Sequence, residues 1–182
     1  ATFNLAGNLT VAEALVIAAQ VDQIYKTGTT AIQPAAEGPW YQSFVDYCVN
    51  TGITKAGAFS DFNAKATRAQ MAGIFAHALP DSTFTVLSLC TPPDVTDTTP
   101  YGNEIITLYT AGILSGSDDY GTFHPDNSIS RAEAAVILSR LALPETRSAK
   151  MLLKDLSLTH GVTVAVPQDM LDITDPDVPE QP

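Results

Sequence analysis

Apolar side chains recur at helical spacing in three long stretches of the chain. They are Val16, Ile17 and Val21 in the first stretch, Met71, Ile74, Phe75 and Ala78 in the second, and Val136, Ile137 and Leu141 in the third. This spacing gives each predicted helix a wide apolar face, which a single helix cannot bury alone. We therefore expect the three long helices to pack together at the centre of the fold.

Two shorter helical patterns alternate with these stretches. One runs from Trp40 to Ile53 and the other from Pro100 to Ile113, and each ends in Gly-Ile. A glycine at this place fits the left-handed cap that ends many helices. The chain thus predicts a unit of short helix, loop and long helix that repeats at roughly 60 residues.

The repeat divides the chain into four predicted segments. The first repeat covers 1–29 and lacks its short helix, the second covers 30–91, and the third covers 92–146. Residues 147–182 form an extension or linker, with a possible short strand at 162–166 and an acidic, proline-containing end. The missing short helix leaves an apolar groove, which we expect a preceding segment or another part of the chain to cover.

Each long helix begins with the sequence of a capping box. In this motif a hydroxyl accepts from the third backbone N–H of the helix, and a Glu or Gln side chain accepts from the N–H of the cap residue. The residues are Thr10 with Glu13, Thr67 with Gln70, and Ser130 with Glu133. Capping alone accounts for all six.

Capping does not account for Arg68 and Arg131, which are two of only four arginines and lie in first helical turns. A cation there opposes the helix dipole at a cost of a few tenths of a kcal/mol. One explanation is an ion pair with a nearby carboxylate, such as Asp61 or Asp126. The other is an anion site made by the guanidinium together with free N–H groups of the helix start.

The third repeat resembles an S-layer homology repeat over most of its length. The similarity lies in Asp94-Val95 leading into Pro100-Tyr101, then in Leu108 to Gly116, Gly121 to Asp126 and Ser130 to Ala135. The second repeat matches at Trp40, Gly52-Ile53 and Thr67 to Gln70, and the first only from Phe3 onward. The resemblance implies a mainly α, pseudo-threefold tandem, with a central three-helix bundle and peripheral short helices.

The resemblance also implies a function and the residues that carry it. Such repeats anchor exported bacterial proteins to the cell wall or S-layer by binding a secondary cell-wall polysaccharide, often one whose sugars carry a pyruvate ketal, in grooves between repeats. The ketal carboxylate is then bound by Arg68 and Arg131, a sugar stacks on Trp40, and Gln70, Glu133 and the helix-start N–H groups give support. In the third repeat Tyr101 is a neighbouring aromatic candidate. Val11 replaces the expected arginine in the first repeat, so that repeat keeps the fold and loses the ligand residue.

Composition and charge argue against two classes of function, nucleic-acid binding and membrane insertion. Nine Lys and Arg against 20 Asp and Glu give a net charge of −11, which argues against binding to nucleic acid. No apolar run approaches the roughly 18 residues of a membrane helix, so no membrane insertion is predicted.

Trp40 is equally explained as a core residue or as a staple at its helix start.

Metal and catalytic sites are not predicted either. Asp118, Asp119 and Asp126 lack the spacing of a calcium loop and fit turns. Cys48 is expected to be a buried thiol, and two cysteines are too few for a disulfide framework. We predict neither a cofactor nor an enzymatic activity. The second functional hypothesis is a scaffold or protein-interaction module that keeps the fold without binding polysaccharide.

Overall fold

The computed structural model describes residues 4–148, and this part of the chain is mainly helical, as predicted. Five α-helices run in the order α1 (Val11–Thr27), α2 (Gln42–Asn50), α3 (Arg68–Ala76), α4 (Gly102–Thr110) and α5 (Arg131–Ala142). Single 3-10 turns lie at Asp81–Thr83 and Pro144–Thr146, and no strand occurs within the described range. The strand predicted at 162–166 and most of the predicted extension lie outside the described residues.

Each short helix packs on the long helix that precedes it in the chain. Helix α2 lies on α1 and α4 lies on α3, while α1 and α3 contact each other. The short helices contribute Phe44, Val45 and Cys48 from α2, and Ile105, Leu108 and Tyr109 from α4, to the shared core. Burying these apolar faces against a neighbour stabilises helices that are too short to persist alone.

A closed ring of backbone hydrogen bonds joins the segments that precede the three long helices. The amide of Leu9 donates to the carbonyl of Ile129 at 2.9 Å, Ile129 donates to Ala66 at 3.1 Å, and Ala66 donates to Leu9 at 2.8 Å. The three residues are each fully or almost fully buried and precede the three capping residues. The ring gives the three helix starts a cyclic equivalence within the described structure.

The same segments satisfy the exposed backbone groups of the helix starts. The first amides of α1, α3 and α5 donate to the carbonyls of Ala64, Asn127 and Gly7, and the second amides donate to those of Phe62, Pro125 and Leu5. The third amide of each helix donates to its capping hydroxyl, and all three capping boxes are closed. The expectation of free helix-start N–H groups for an anion is therefore wrong.

Helix α5 is more exposed than its two counterparts. Ala132, Ala135 and Ser139 are exposed, whereas the equivalent residues of α1 and α3 are buried; these are Ala12, Leu15, Ala19, Ala69, Ala72 and Ala76. Val136 is 51% exposed, so its predicted place in a central apolar face is wrong. Neither α2 nor α4 makes an extended contact with α5. Within the described residues, one face of α5 is thus left uncovered by the short helices.

Candidate functional site

Three surface grooves repeat one arrangement around the ring of helix starts. Each is bordered by the sixth and seventh residues of a long helix, which are Val16 and Ile17, Gly73 and Ile74, or Val136 and Ile137. We name them after one further lining residue: the Trp40 groove of about 240 Å³, the Tyr101 groove of about 340 Å³ and the Arg68 groove of about 220 Å³.

The Trp40 groove brings together an exposed indole and an arginine. Trp40 lies just before α2, and since α2 packs on α1, its side chain reaches the groove between α1 and the start of α5, where Arg131 lies. The indole is 47% exposed, which makes it a surface residue and not a core residue. Its ring meets Tyr41 edge to face, with the centroids 5.7 Å apart. The walls on either side are apolar, with Ile17 and Leu138 among them.

Arg131 is only partly used by the protein. Its Nη2 donates to Oε1 of Glu13, and its Nε and Nη1 have no hydrogen-bond partner among the described residues. The side chain is 32% exposed. Because a guanidinium has five N–H donors in a planar fork, Arg131 lines the groove with donors that the described part of the protein does not use.

Arg68 occupies the equivalent helix position but is enclosed. Its Nε donates to the Phe123 carbonyl at 2.7 Å, its Nη1 to Oε1 of Glu133 at 2.8 Å and its Nη2 to the Ser115 carbonyl at 3.3 Å. The guanidinium also lies 4.6 Å from the centre of the Phe123 ring, and the side chain is 8% exposed. All three nitrogens are engaged within the fold.

The two arginines pair with glutamates of the capping boxes. Arg68 contacts Glu133 and Arg131 contacts Glu13, so the prediction of Asp61 or Asp126 as partners is wrong. In each case the first residue of one long helix pairs with the third residue of the next helix around the ring. We call each such contact between two neighbouring helix starts a junction. At the third junction, between α1 and α3, the equivalent residues are Val11 and Gln70. The two departures from the repeat pattern therefore belong to one junction, where both charges are absent.

Gln70 and Glu133 serve the helix starts in this structure. The side-chain oxygen of Gln70 accepts from the Thr67 amide at 3.0 Å. One oxygen of Glu133 accepts from Arg68, and the other accepts from the amide and hydroxyl of Ser130 at 2.9 and 2.6 Å. Both oxygens of Glu133 are thus engaged by protein groups.

Tyr101 is packed against a helix and lies apart from both arginines. A Cβ atom on Gly73 would come within 2.2 Å of the Tyr101 ring, so the ring rests directly on the backbone of α3. Tyr101 has a φ of 59°, a left-handed conformation that is uncommon for a residue with a side chain. It lines a groove with His77 and Glu104, so the structure separates Tyr101 from the arginine-containing grooves.

Burial and charge shift the protonation equilibria of the Arg68 pair. Burial lowers the pKa of Arg68, and the neighbouring charge of Glu133 opposes this shift. For Glu133 burial acts to raise the pKa, but the hydrogen bonds from Ser130 and the charge of Arg68 outweigh it and lower the pKa. Both groups stay charged at neutral pH.

The remaining polar candidates have structural roles. Oδ1 of Asp118 accepts from the amides of Tyr120 and Thr122, which is the geometry of a turn. No cluster of three or more potential metal ligands occurs within residues 4–148. Cys48 is buried on α2, as predicted, and burial raises the pKa of its thiol to about 12. None of the helices in this range has the length and apolar character needed to cross a bilayer.

Two groove residues escape prediction from sequence. Glu13 is explained locally by its capping box, and only the closed ring brings it to Arg131, 118 residues away. Arg140 lines the Arg68 groove, and within residues 4–148 its side chain makes only long contacts of 3.4 Å to Ile113 and Ser115. The sequence does contain one indication that Glu13 pairs with Arg131. At the third junction the equivalent positions hold Val11 and Gln70, so the arginine and the glutamate are replaced together.

Comparison with known proteins gives one family match. Residues 93–135, which include α4 and the start of α5, match the model of the S-layer homology domain. The match covers Tyr101, Arg131 and Glu133 among the predicted site residues. No curated protein matches the chain significantly.

Proposed function

We propose that this chain, which carries an S-layer homology domain at residues 93–135, binds an acidic secondary cell-wall polysaccharide in its Trp40 groove. The domain is a cell-surface anchoring module, and domains of this kind bind cell-wall polysaccharides in general. In this chain the binding residues are Trp40 and Arg131, and the acidic group is the carboxylate of a pyruvate ketal.

The observation that carries the proposal is the pairing of Trp40 with Arg131 in one groove. The exposed indole offers an apolar platform for the C–H face of a sugar ring. The free donors of Arg131 match a carboxylate, which a guanidinium binds in a planar, charge-assisted arrangement. A ketal-bearing sugar has both features on one residue, so two weak contacts act on the same ligand unit.

Arg68 has a different part in this proposal. Its three nitrogens are engaged by Phe123, Glu133 and Ser115, and a ligand would have to displace buried hydrogen bonds to reach it. We assign Arg68 to the stability of the junction between α3 and α5. The chain then has one main binding groove, in place of the two equivalent arginine sites that the repeats imply.

The second candidate is a scaffold or protein-interaction module that has lost polysaccharide binding. One observation favours it: both Arg68 and Arg131 form ion pairs inside the protein. The two candidates differ in what they require of Arg131, since a scaffold needs only its pair with Glu13, whereas an anchor also needs its free donors.

The test is sedimentation of the purified chain with bacterial wall sacculi, before and after chemical removal of the wall polysaccharide. We expect binding to untreated sacculi, and a loss of at least about tenfold in affinity on Trp40→Ala or Arg131→Gln, since each change removes one of two contacts. Tyr25→Ala and Lys65→Gln are the matched controls, because they remove an exposed aromatic ring and a positive charge outside the groove. Trp40 is also the only tryptophan, so a change in its fluorescence reports ligand in the groove directly.

Undiminished binding of the Trp40→Ala, Arg131→Gln double variant would contradict the proposed site. Absence of binding by the unaltered chain to sacculi that retain their polysaccharide would favour the scaffold.

A further inference from the structure

We infer that Glu13 is an internal competitor in the Trp40 groove: its carboxylate holds Arg131 and lowers the affinity of the groove for acidic ligands. This inference rests on the proposed function. Glu13 then weakens anion binding in addition to closing its capping box. This explains why a guanidinium in a surface groove does not bind anions from solution without selectivity.

The position of Glu13 is fixed by the helix start. Its Oε2 accepts from the amide of Thr10 at 2.9 Å and from the Thr10 hydroxyl at 3.2 Å, while Oε1 accepts from Nη2 of Arg131. The carboxylate therefore cannot swing away from Arg131 without breaking the cap. An incoming carboxylate must either take the place of Oε1 or bind beside it on the same guanidinium.

Either route brings the ligand against a fixed negative charge. Two carboxylates on one guanidinium lie roughly 5 Å apart, and at an effective dielectric constant of roughly 40 to 70, between that of a protein surface and that of bulk water, their repulsion weakens binding by roughly five- to fifteen-fold. The side chain of Glu13 is 25% exposed, so solvent screens this repulsion without removing it.

The third junction shows that capping does not require this charge. There Gln70 takes the place of the glutamate, and its side-chain oxygen still accepts from the Thr67 amide, closing the capping box. The residue equivalent to arginine at that junction is the apolar Val11. A charged residue at this third helix position thus accompanies an arginine at the neighbouring helix start, and glutamine is an adequate cap in its absence.

The Arg68 junction supplies the matched contrast. Glu133 is equivalent to Glu13 and contacts a guanidinium in the same way, but Arg68 also donates to two carbonyls and is 8% exposed. Removing the charge of Glu133 leaves Arg68 enclosed and opens no donor to the groove. The effect of the two glutamates on ligand binding should therefore differ, although their capping roles are the same.

The experiment compares Glu13→Gln with Glu133→Gln. The probe is a methyl hexoside carrying a pyruvate ketal, with its uncharged methyl ester as the control ligand. Binding is followed by Trp40 fluorescence and by the NMR signal of the Arg131 Nε–H group. We expect Glu13→Gln to bind the ketal acid roughly five- to fifteen-fold more tightly than the unaltered chain, with no gain for the ester. Glu133→Gln should show no gain for either ligand.

Two further measurements make each outcome decisive. Adding Arg131→Gln to Glu13→Gln should abolish the gain; a gain that persists, or equal affinities of the unaltered chain and Glu13→Gln, would overturn the inference. Titration with sodium acetate tests Arg131 without any sugar, and the Nε–H signal should shift at lower acetate concentration in Glu13→Gln. If the acetate result holds while no form binds wall sacculi, the proposed function fails and the competition at Arg131 stands.

Discussion

Arg68 and Arg131 begin two equivalent helices, and replacing each in turn by methionine separates a structural arginine from an available one. Methionine keeps the length of the side chain, favours helix and removes only the polar head. We expect Arg68→Met to lower the free energy of unfolding by about 3 kcal/mol and Arg131→Met by less than about 1 kcal/mol.

The larger figure follows from the surroundings of Arg68. Losing its donor leaves the carbonyl of the fully buried Phe123 without its partner, at about 1–3 kcal/mol. The contact with the Phe123 ring and the half-exposed pair with Glu133 add roughly 1 kcal/mol together. Removing the cation from the first turn also removes its unfavourable interaction with the helix dipole, which restores a few tenths of a kcal/mol of stability. In Arg131→Met one partly exposed ion pair is lost, and the unfavourable interaction with the helix dipole is removed in the same way, so the net loss of stability is small.

The assay is urea unfolding followed by far-ultraviolet circular dichroism. Each variant should keep the slope of the unaltered chain, so that a shift in midpoint measures stability alone. In thermal unfolding the Arg68 variant should melt roughly 6–12 °C lower. Equal losses for the two variants, or a larger loss at Arg131, would refute the distinction between the two sites.

Three further predictions concern single groups. Because the pKa of Glu133 is below its ordinary value of 4.5, its stabilising contribution is present above that pH and is lost as the pH falls through the folded-state value. The difference in stability between the unaltered chain and Glu133→Gln should therefore shrink in urea unfolding below about pH 4.5, and a constant difference would contradict this. Gly73→Ala should destabilise by roughly 1 kcal/mol in thermal unfolding, since the clash with the Tyr101 ring exceeds the gain in helix propensity, and should stabilise in a Tyr101→Ala background. A thiol reagent at pH 8 should label Cys90 in the native chain and Cys48 only after unfolding, because burial raises the pKa of Cys48 to about 12; rapid native labelling of both would contradict its burial.

Features set by neighbouring residues are predictable from the sequence. The three capping boxes, the short helices and the buried Cys48 follow from spacing within one turn or one helix face. The mainly α class follows from the same periodicity. In each case the interaction that decides the structure lies within a few positions of the residue concerned.

Features that depend on ring closure are not predictable in this way. The partners of Arg68 and Arg131 lie 65 and 118 residues away, whereas Asp61 and Asp126 are close in sequence and take no part in the pairs. Trp40 shares a groove with Arg131, because its short helix packs on the long helix before it and not on the helix that follows. Repeat spacing gives equivalent positions, but it does not say which repeat supplies each wall of a groove.

The ring of amides at the helix starts also dictates when this fold can form during synthesis. Its hydrogen bonds join Leu9 to Ile129, so the segment before α1 cannot complete its hydrogen bonds until the segment before α5 has been translated. Until then the amide of Leu9 lacks its partner, and long-range closure of this kind slows folding. A fragment restricted to the matched residues 93–135 lacks both neighbouring segments and leaves amides at the start of α5 unpaired. The unit of folding is therefore larger than the unit of repetition.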